Sequence, residues 1–171
     1  MTQSSNDAVI DGHGDPRLRS FLAEHAVRAE ILAPGVPMPT VPLAAAAIGV
    51  REEQIIKSVL FEDRNGAVVL TIACGTARID RHRLAEATGI PGLKLADAAT
   101  VLAATGYPAG GVSPVGHATR MPVVIDQRVM SWEHVYGGAG TEETLVMISP
   151  IDIVRLTGAV VADITGSTLS P

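Results

Sequence analysis

Residues 55–73 read IIKSVLFEDRNGAVVLTIA and decide the fold, because they join two strand-like runs through a strong turn signal. The runs 55–61 and 67–73 are apolar and rich in β-branched residues, which favours strands. Between them, Asn65-Gly66 is the strongest short-range signal for a hairpin. We therefore predict an antiparallel hairpin here, with the other elements arranged around it.

Capping residues and helical spacing predict five helices outside the hairpin, at 15–25, 40–48, 80–88, 97–106 and 149–157. Short apolar runs predict further strands at 29–33, 121–125, 134–137, 144–148 and 159–163. Helices and strands interleave, but several strands are spaced as in hairpins. We therefore expect a single α/β (α+β) domain over residues 15–165, with a flexible leader at 1–14 and a tail at 166–171. Its sheet should be mixed and mostly antiparallel, or a partly closed barrel, with helices packed around it.

The composition and net charge of the chain exclude some classes of function. With 171 residues, 47% hydrophobic and 18% charged, the chain has the composition of a compact globular domain. Aromatic residues are only 3%, too few for a base-stacking platform. Thirteen Lys and Arg against eighteen Asp and Glu give a net charge of −5, which disfavours non-specific coating of nucleic acid. A local contact with RNA stays open.

The sequence offers no signal for a metal, a cofactor or a membrane. Cys74 is the only cysteine, so an internal disulfide and a cysteine-based zinc cluster are excluded, and no two histidines have metal-ligand spacing. No signal peptide and no apolar run of membrane-spanning length is present. We expect a soluble, cytoplasmic protein with no cofactor and no membrane partner.

Lys57 is the first candidate site residue. Strand alternation places it on the same face as Ile55, Val59 and Phe61, which is otherwise apolar. A lysine on such a face indicates a cleft where its ammonium group meets an anion. The alternative is a lysine that extends from a strand edge into solvent.

A second candidate is the segment 110–117, GGVSPVGH, in which three glycines and one proline define a shaped loop. Backbone N–H groups that converge in such a loop can bind a phosphate or a developing oxyanion. His117 is either a base or donor toward a ligand, or a solvated loop histidine. The loop itself is either part of a site or a plain connection.

Three other features each allow two interpretations. Asp126 ends an apolar strand, where it is either a functional carboxylate or a cap for the following turn. Cys74 is either a nucleophile or, as its apolar strand favours, a buried inert thiol. The basic residues Arg78, Arg81, His82 and Arg83 form either a solvated helix face or a contact for RNA phosphates.

Together, three segments resemble the YbaK/ProX family of aminoacyl-tRNA editing domains. They are 54–61 (QIIKSVLF), 105–117 (TGYPAGGVSPVGH) and 122–126 (PVVID), and the similarity extends from about residue 40 to 163. The lysine strand followed by the Gly-x-x-x-Pro loop is the specific part of this pattern. The family is similar to the editing insertion of bacterial prolyl-tRNA synthetases.

The resemblance implies a trans-acting deacylase that hydrolyses the ester of mischarged tRNA, with tRNA(Pro) carrying Ala, Cys, Ser or Thr as the expected substrate. It implies catalytic roles for Lys57, which would hold the terminal adenosine through its phosphate, and for Gly110, Gly111, Ser113 and Pro114, which would position the aminoacyl carbonyl. Val112, Gly116, His117 and Asp126 are the expected substrate-binding residues, with Ser113 and His117 as candidates to read a hydroxyl or thiol.

The partners implied are the acceptor end of aminoacyl-tRNA and a synthetase complex that captures the tRNA. Two other functions stay open. One is a non-catalytic module that binds an acyl-adenosine, a nucleotide or a protein in the same cleft. The other is an esterase or amidase for small molecules. The sequence makes no prediction of oligomeric state.

Overall fold

The computed structural model describes residues 13–166, which form five α-helices and eight strands in two sheets. Residues 1–12 of the predicted leader and 167–171 of the predicted tail lie outside the described part. The helices are α1 (Pro16–Glu24), α2 (Val41–Ile48), α3 (Arg81–Thr88), α4 (Ala98–Thr105) and α5 (Pro150–Thr157). The strands are β1 (Glu30–Leu32), β2 (Ile56–Glu62), β3 (Val68–Cys74), β4 (Lys94–Leu95), β5 (Val123–Asp126), β6 (Val135–Gly138), β7 (Leu145–Ile148) and β8 (Val160–Ala162). Two 3₁₀ turns cover Glu52–Gln54 and Gln127–Ser131.

The predicted hairpin is present as β2 and β3, which pair antiparallel over seven residues each. Gly66 takes the left-handed conformation with φ +83° that its turn requires. The turn is closed by Asp63, whose Oδ1 accepts the N–H groups of Asn65 and Ala67 at 2.9 and 2.8 Å. Local turn chemistry therefore sets the register of the two central strands.

The sheets are mixed and mostly antiparallel, as predicted. The larger sheet has the order β4-β2-β3-β5-β8 and the smaller one the order β1-β7-β6. Only the pairs β3–β5 and β5–β8 are parallel. The two sheets meet at an isolated bridge between Ile55 and Tyr136, and the larger one ends at the short strands β4 and β8, which do not pair, so no closed barrel forms among the described residues.

Helix boundaries follow the capping residues. The N-caps are Asp15, Thr40, Asp80, Asp97 and Ser149, and each side chain accepts a backbone N–H of its own first turn. Four helices end at left-handed glycines, Gly49, Gly89, Gly106 and Gly158. None of the helices between residues 13 and 166 has the length and apolar character that a membrane crossing needs.

The core has one large and two smaller parts. The face of β2 that carries Ile56 and Leu60 belongs to the main core, together with buried residues of α1, α5 and the smaller sheet. On the opposite face, Ile55 packs with α2, and Phe61 packs with α3. A gap therefore separates α2 from α3 along the middle of β2.

Candidate functional site

A groove of about 290 Å³ lies beside the middle of β2. One wall is the strand itself, and the others come from α2 with the turn before it, from the loop that begins at Gly110, and from the turn between β6 and β7. Its lining residues are Met38, Pro39, Thr40, Val41, Ala44, Ile55, Ile56, Lys57, Ser58, Val59, Gly110, Val112, Gly138, Thr141, Glu142, Thr144 and Leu145.

The β2 wall of the groove is an unpaired strand edge. At one end, Ile55 forms an isolated bridge with Tyr136. At the other, the carbonyl of Leu60 accepts the N–H of Ala96 at 3.0 Å, where β4 begins to cover the edge. The N–H and C=O groups of successive residues in an antiparallel strand point to opposite edges. The N–H and C=O of Ser58 therefore point to the same edge as those of Leu60. They lie between the Ile55–Tyr136 bridge and the Leu60–Ala96 hydrogen bond. The groove therefore exposes backbone donors and acceptors to a ligand.

Lys57 lines this groove on the face that alternation predicts. Its face neighbours Ile55 and Phe61 are 4% and 3% exposed, whereas Lys57 is exposed. The difference arises because α2 covers Ile55 and α3 covers Phe61, which leaves the lysine in the gap between them. Lys57 thus lines the groove as an exposed residue, without the cost of burying its charge.

The loop opposite Lys57 is held by contacts between backbones. The N–H of Gly140 donates to the carbonyl of Gly111 at 2.9 Å. A Cβ atom added to Gly138 would lie 2.6 Å from the carbonyl oxygen of Val112. Only glycine permits so close an approach, so the β6–β7 turn acts as a rigid support for the loop.

Two groove-lining residues of the loop, Gly110 and Val112, have backbone N–H groups without a partner among residues 13–166. The N–H of Gly111 is used in the turn, where it donates to the Pro108 carbonyl at 2.9 Å. By contrast, the N–H groups of Gly110 and Val112 make no hydrogen bond to any other residue between 13 and 166. Fixed donors of this kind can stabilise negative charge that develops on a carbonyl oxygen.

The comparisons place this arrangement in a known family. The model of the "Aminoacyl-tRNA editing domain" matches residues 36–156, which include the lysine strand and the whole loop. The chain belongs to the aminoacyl-tRNA editing domain family. The resemblance found in the sequence is therefore confirmed.

Relatives of this editing domain support the same assignment. This chain is 25% identical over 121 residues to the "Putative Cys-tRNA(Pro)/Cys-tRNA(Cys) deacylase EbsC" of Enterococcus faecalis, and the match covers 71% of this chain and 74% of that protein. It is 31% identical over 122 residues to a Proline–tRNA ligase of Desulforamulus reducens, covering 71% of this chain but 21% of the ligase. A crystal structure of a "putative trans-editing enzyme for prolyl tRNA synthetase" superposes with a TM-score of 0.81 at 30% identity, covering 88% and 96% of the two chains.

Within the editing domain, Ser113 and Pro114 shape the loop from behind and do not line the groove. Ser113 is fully buried, and its Oγ accepts the N–H of Val115 at 3.3 Å. A Cβ added to Gly137 would lie 3.1 Å from Cδ of Pro114, so the proline ring packs on the β6 backbone. Both residues contribute through the conformation of the loop.

Gly116 and His117 face a second cavity and do not line the groove. The Nε2–H of His117 donates to the carbonyl of Ser113 at 2.7 Å, so Nε2 carries a hydrogen. Burial lowers the pKa of His117, and the bond to Ser113 offsets part of that effect. The structure thus connects His117 to the loop but separates it from the groove.

Asp126 lies in a buried network away from the groove, where it is 1% exposed. Its Oδ1 accepts the N–H of Arg128 at 3.0 Å and caps the 3₁₀ turn that follows β5. Its Oδ2 accepts the N–H groups of Ile164 and Thr165 at 3.0 and 3.2 Å. The carboxylate therefore joins β5 to the segment after β8, as a capping role requires.

The remaining sequence candidates lie outside the groove. Cys74 is buried, and desolvation followed by the charge of Asp126 raises the pKa of its thiol, which favours the inert interpretation. Arg83 is paired with Asp163 at 3.0 Å, whereas Arg78, Arg81 and His82 are exposed. Among residues 13–166, no three His, Cys, Asp or Glu side chains come together as a metal site.

Sequence reasoning missed several residues of the groove. Ser58 lines it, and its buried Oγ has no hydrogen-bond partner among residues 13–166. Thr141 and Thr144 share a hydrogen bond of 2.7 Å between their hydroxyl groups, and Glu142 lies beside them. These polar residues in the β6–β7 turn are distant from Lys57 in sequence. The one local signal was the glycine-rich stretch 137–140 before the turn.

Proposed function

We propose that the chain is a trans-acting aminoacyl-tRNA deacylase that hydrolyses the ester of mischarged tRNA(Pro) bearing a small amino acid. The observation that carries the proposal is one groove that brings Lys57 together with the free N–H groups of Gly110 and Val112. The family and the relatives named for Cys-tRNA(Pro) deacylation and prolyl-tRNA trans-editing support the same chemistry.

The charges of the groove fit this substrate. Within the described residues, Lys57 is the one cation and Glu142 the one carboxylate of the lining. An aminoacylated terminal adenosine carries phosphate groups and an α-ammonium group. Lys57 would pair with a phosphate, and Glu142 with the ammonium group. Opposite charges at two points orient the ester between them.

Hydrolysis then needs an attacking water molecule and stabilisation of charge. Water forms a bond to the acyl carbon, the bond from that carbon to the ribose oxygen breaks, and the ribose hydroxyl leaves with a proton. During the attack, the carbonyl oxygen becomes negative and is stabilised by the N–H groups of Gly110 and Val112. A hydroxyl or thiol of the substrate can replace water as the attacking group.

The walls of the groove suit a small side chain. Met38, Val41 and Leu145 provide apolar surface. Such a wall discriminates between side chains that differ by one methylene by only about 1–3 kcal/mol. We therefore expect activity on several small residues, among Ala, Cys, Ser and Thr, rather than on one alone.

The tRNA partner is captured with help. A net charge of −5 gives weak unaided attraction to a polyanion. We propose that a synthetase complex supplies further contacts with the tRNA, in keeping with the similarity to prolyl-tRNA ligases. A substrate of this kind implies action in the cytoplasm.

The test is release of labelled amino acid from tRNA(Pro) charged with Ala, Cys, Ser or Thr, with and without the synthetase. Lys57→Ala should lower kcat/KM by about tenfold to a hundredfold, as expected for loss of a charge-assisted hydrogen bond. Lys94→Ala is the matched control, because Lys94 is an exposed lysine on β4 that does not line the groove.

Three outcomes would contradict the proposal. They are binding of the acceptor end without turnover, a faster reaction on free amino acid esters than on the tRNA-linked ester, and equal rates for the Lys57 and Lys94 variants. The first outcome would indicate a binding module and the second an esterase for small molecules.

A further inference from the structure

A second cavity of about 320 Å³ opens on another part of the surface. It lies between α1, the segment 116–121, the start of β5 and the end of α5, and it shares no lining residue with the groove. Its lining is Phe21, Gly116, His117, Ala118, Thr119, Arg120, Met121, Val123, Arg155, Leu156, Thr157 and Gly158. The deacylation mechanism uses none of these residues.

The charged side chains that line this cavity are basic, although the protein as a whole is acidic. Its lining includes two guanidinium groups, those of Arg120 and Arg155, but no Asp or Glu, although the chain has a net charge of −5. Arg120 is exposed and forms no ion pair with any residue between 13 and 166. Basic groups collected around a concave surface attract an anion.

Arg155 is paired with a neighbour outside the lining. Its Nε and Nη2 donate to Oδ1 of Asp152 at 3.3 and 3.1 Å, a pair that lies on one turn of α5. Its Nη1 makes no hydrogen bond to the other residues described by the structure. The guanidinium group thus keeps Nη1 as a donor that the pair with Asp152 does not use.

The opposite wall is rigid. Tyr107 donates its hydroxyl hydrogen toward the carbonyls of Gly116 and Val115, at 2.8 and 3.2 Å. The ring of His117 stands at 84° to that of Tyr107 with centroids 6.3 Å apart, and its Nε2 is fixed on Ser113.

We propose that this cavity binds a phosphate group between Arg120 and Arg155. Guanidinium groups match phosphate oxygens in charge and in geometry, since each presents paired N–H donors. The phosphate comes either from a free nucleotide or from the backbone of an RNA. The inference goes beyond the proposed deacylation and does not depend on it.

The experiment is an NMR titration of the ¹⁵N-labelled full chain with inorganic phosphate, then with AMP and with a short RNA oligonucleotide, at constant ionic strength set with chloride. Saturable shifts should occur at the amides of residues 116–121 and at the Nε of both arginines. The double variant Arg120→Gln with Arg155→Gln should weaken binding by about tenfold or more. Arg64→Gln is the matched control, because Arg64 is an exposed arginine in the hairpin turn.

The pattern of shifts decides the question. Saturation by phosphate and AMP supports the proposal with a free phosphate as the source, and tighter binding of the oligonucleotide supports it with RNA as the source. No shift at residues 116–121, or equal affinity in the double variant and in Arg64→Gln, would overturn it. The titration uses no ester, so failure here leaves deacylation untouched, and loss of deacylation leaves this site untouched.

Discussion

Gly138→Ala tests whether contact between backbones positions the catalytic loop. The added Cβ would lie 2.6 Å from the carbonyl oxygen of Val112 and 2.9 Å from the carbonyl carbon of Gly111, far inside the 3.4 Å of ordinary contact. Both are backbone atoms, so no side chain can rotate away, and the loop or β6 must move by about an ångström. A displacement of that size lowers a rate by about a hundredfold. The crowding should also lower the free energy of unfolding by about 1–3 kcal/mol.

The assay is kcat/KM for release of amino acid from mischarged tRNA(Pro), together with urea unfolding and the amide shifts of residues 110–112. Gly89→Ala is the matched control. Gly89 ends α3 with φ +72° and open space around its Cβ position, so alanine there costs about 1–2 kcal/mol of backbone strain without touching the loop. A folded Gly138→Ala protein with unchanged amide shifts and a rate within about twofold of wild type would refute the reasoning, because a misplaced loop must lose far more. An equal loss of rate in Gly89→Ala would refute it as well.

Other variants test buried polar groups outside the groove. Asp126→Asn should lower the free energy of unfolding by about 3 kcal/mol, since an amide nitrogen replaces an acceptor in a fully buried network; a normal urea midpoint would contradict this. Tyr107→Phe should cost about 1–2 kcal/mol, measured in the same way, because its hydroxyl serves two buried carbonyls. Burial lowers the pKa of His117 below its ordinary value of 6.5. The contribution of the neutral ring to the free energy of unfolding is therefore complete above pH 6.5 and is lost as the pH falls through the lowered pKa. His117→Gln should remove this part of the pH profile of unfolding, and an unchanged profile would count against the reasoning. Cys74 should react with iodoacetamide at pH 8 at least about tenfold more slowly in the folded protein than in urea, because burial raises the pKa of its thiol; equal rates would show that it is accessible.

Local chemistry made much of the fold predictable. The hairpin depends on Asn65-Gly66, and four helix ends depend on glycines that adopt a left-handed conformation, so the information lies within a few residues. The strand Lys94–Leu95 was missed because two residues carry no periodicity and pair with β2 only through tertiary packing. The separation into two sheets was likewise not predictable, because it depends on which edges remain unpaired.

The site was predictable where it is continuous in sequence. Lys57 and the loop from Gly110 were found because a charge on an apolar strand and a dense run of glycines are visible locally. Glu142 and the α2 wall were not found, since long-range contacts bring them together, such as the bond of 2.8 Å from the Met38 N–H to the Glu142 carbonyl. Spacing alone also could not show that His117, only a few residues beyond the loop, faces away from the groove.

The hydrogen bonds of Asp126 determine how far this protein can be truncated at its C-terminal end. The family match stops at residue 156, yet the carboxylate on β5 is satisfied by Ile164 and Thr165, and β8 lies between. A recombinant fragment trimmed at the family boundary would keep the Asp126 side chain and lose the two backbone N–H groups that Oδ2 accepts. The editing unit that can be expressed intact therefore extends at least to residue 166, ten residues beyond what sequence similarity alone would delimit.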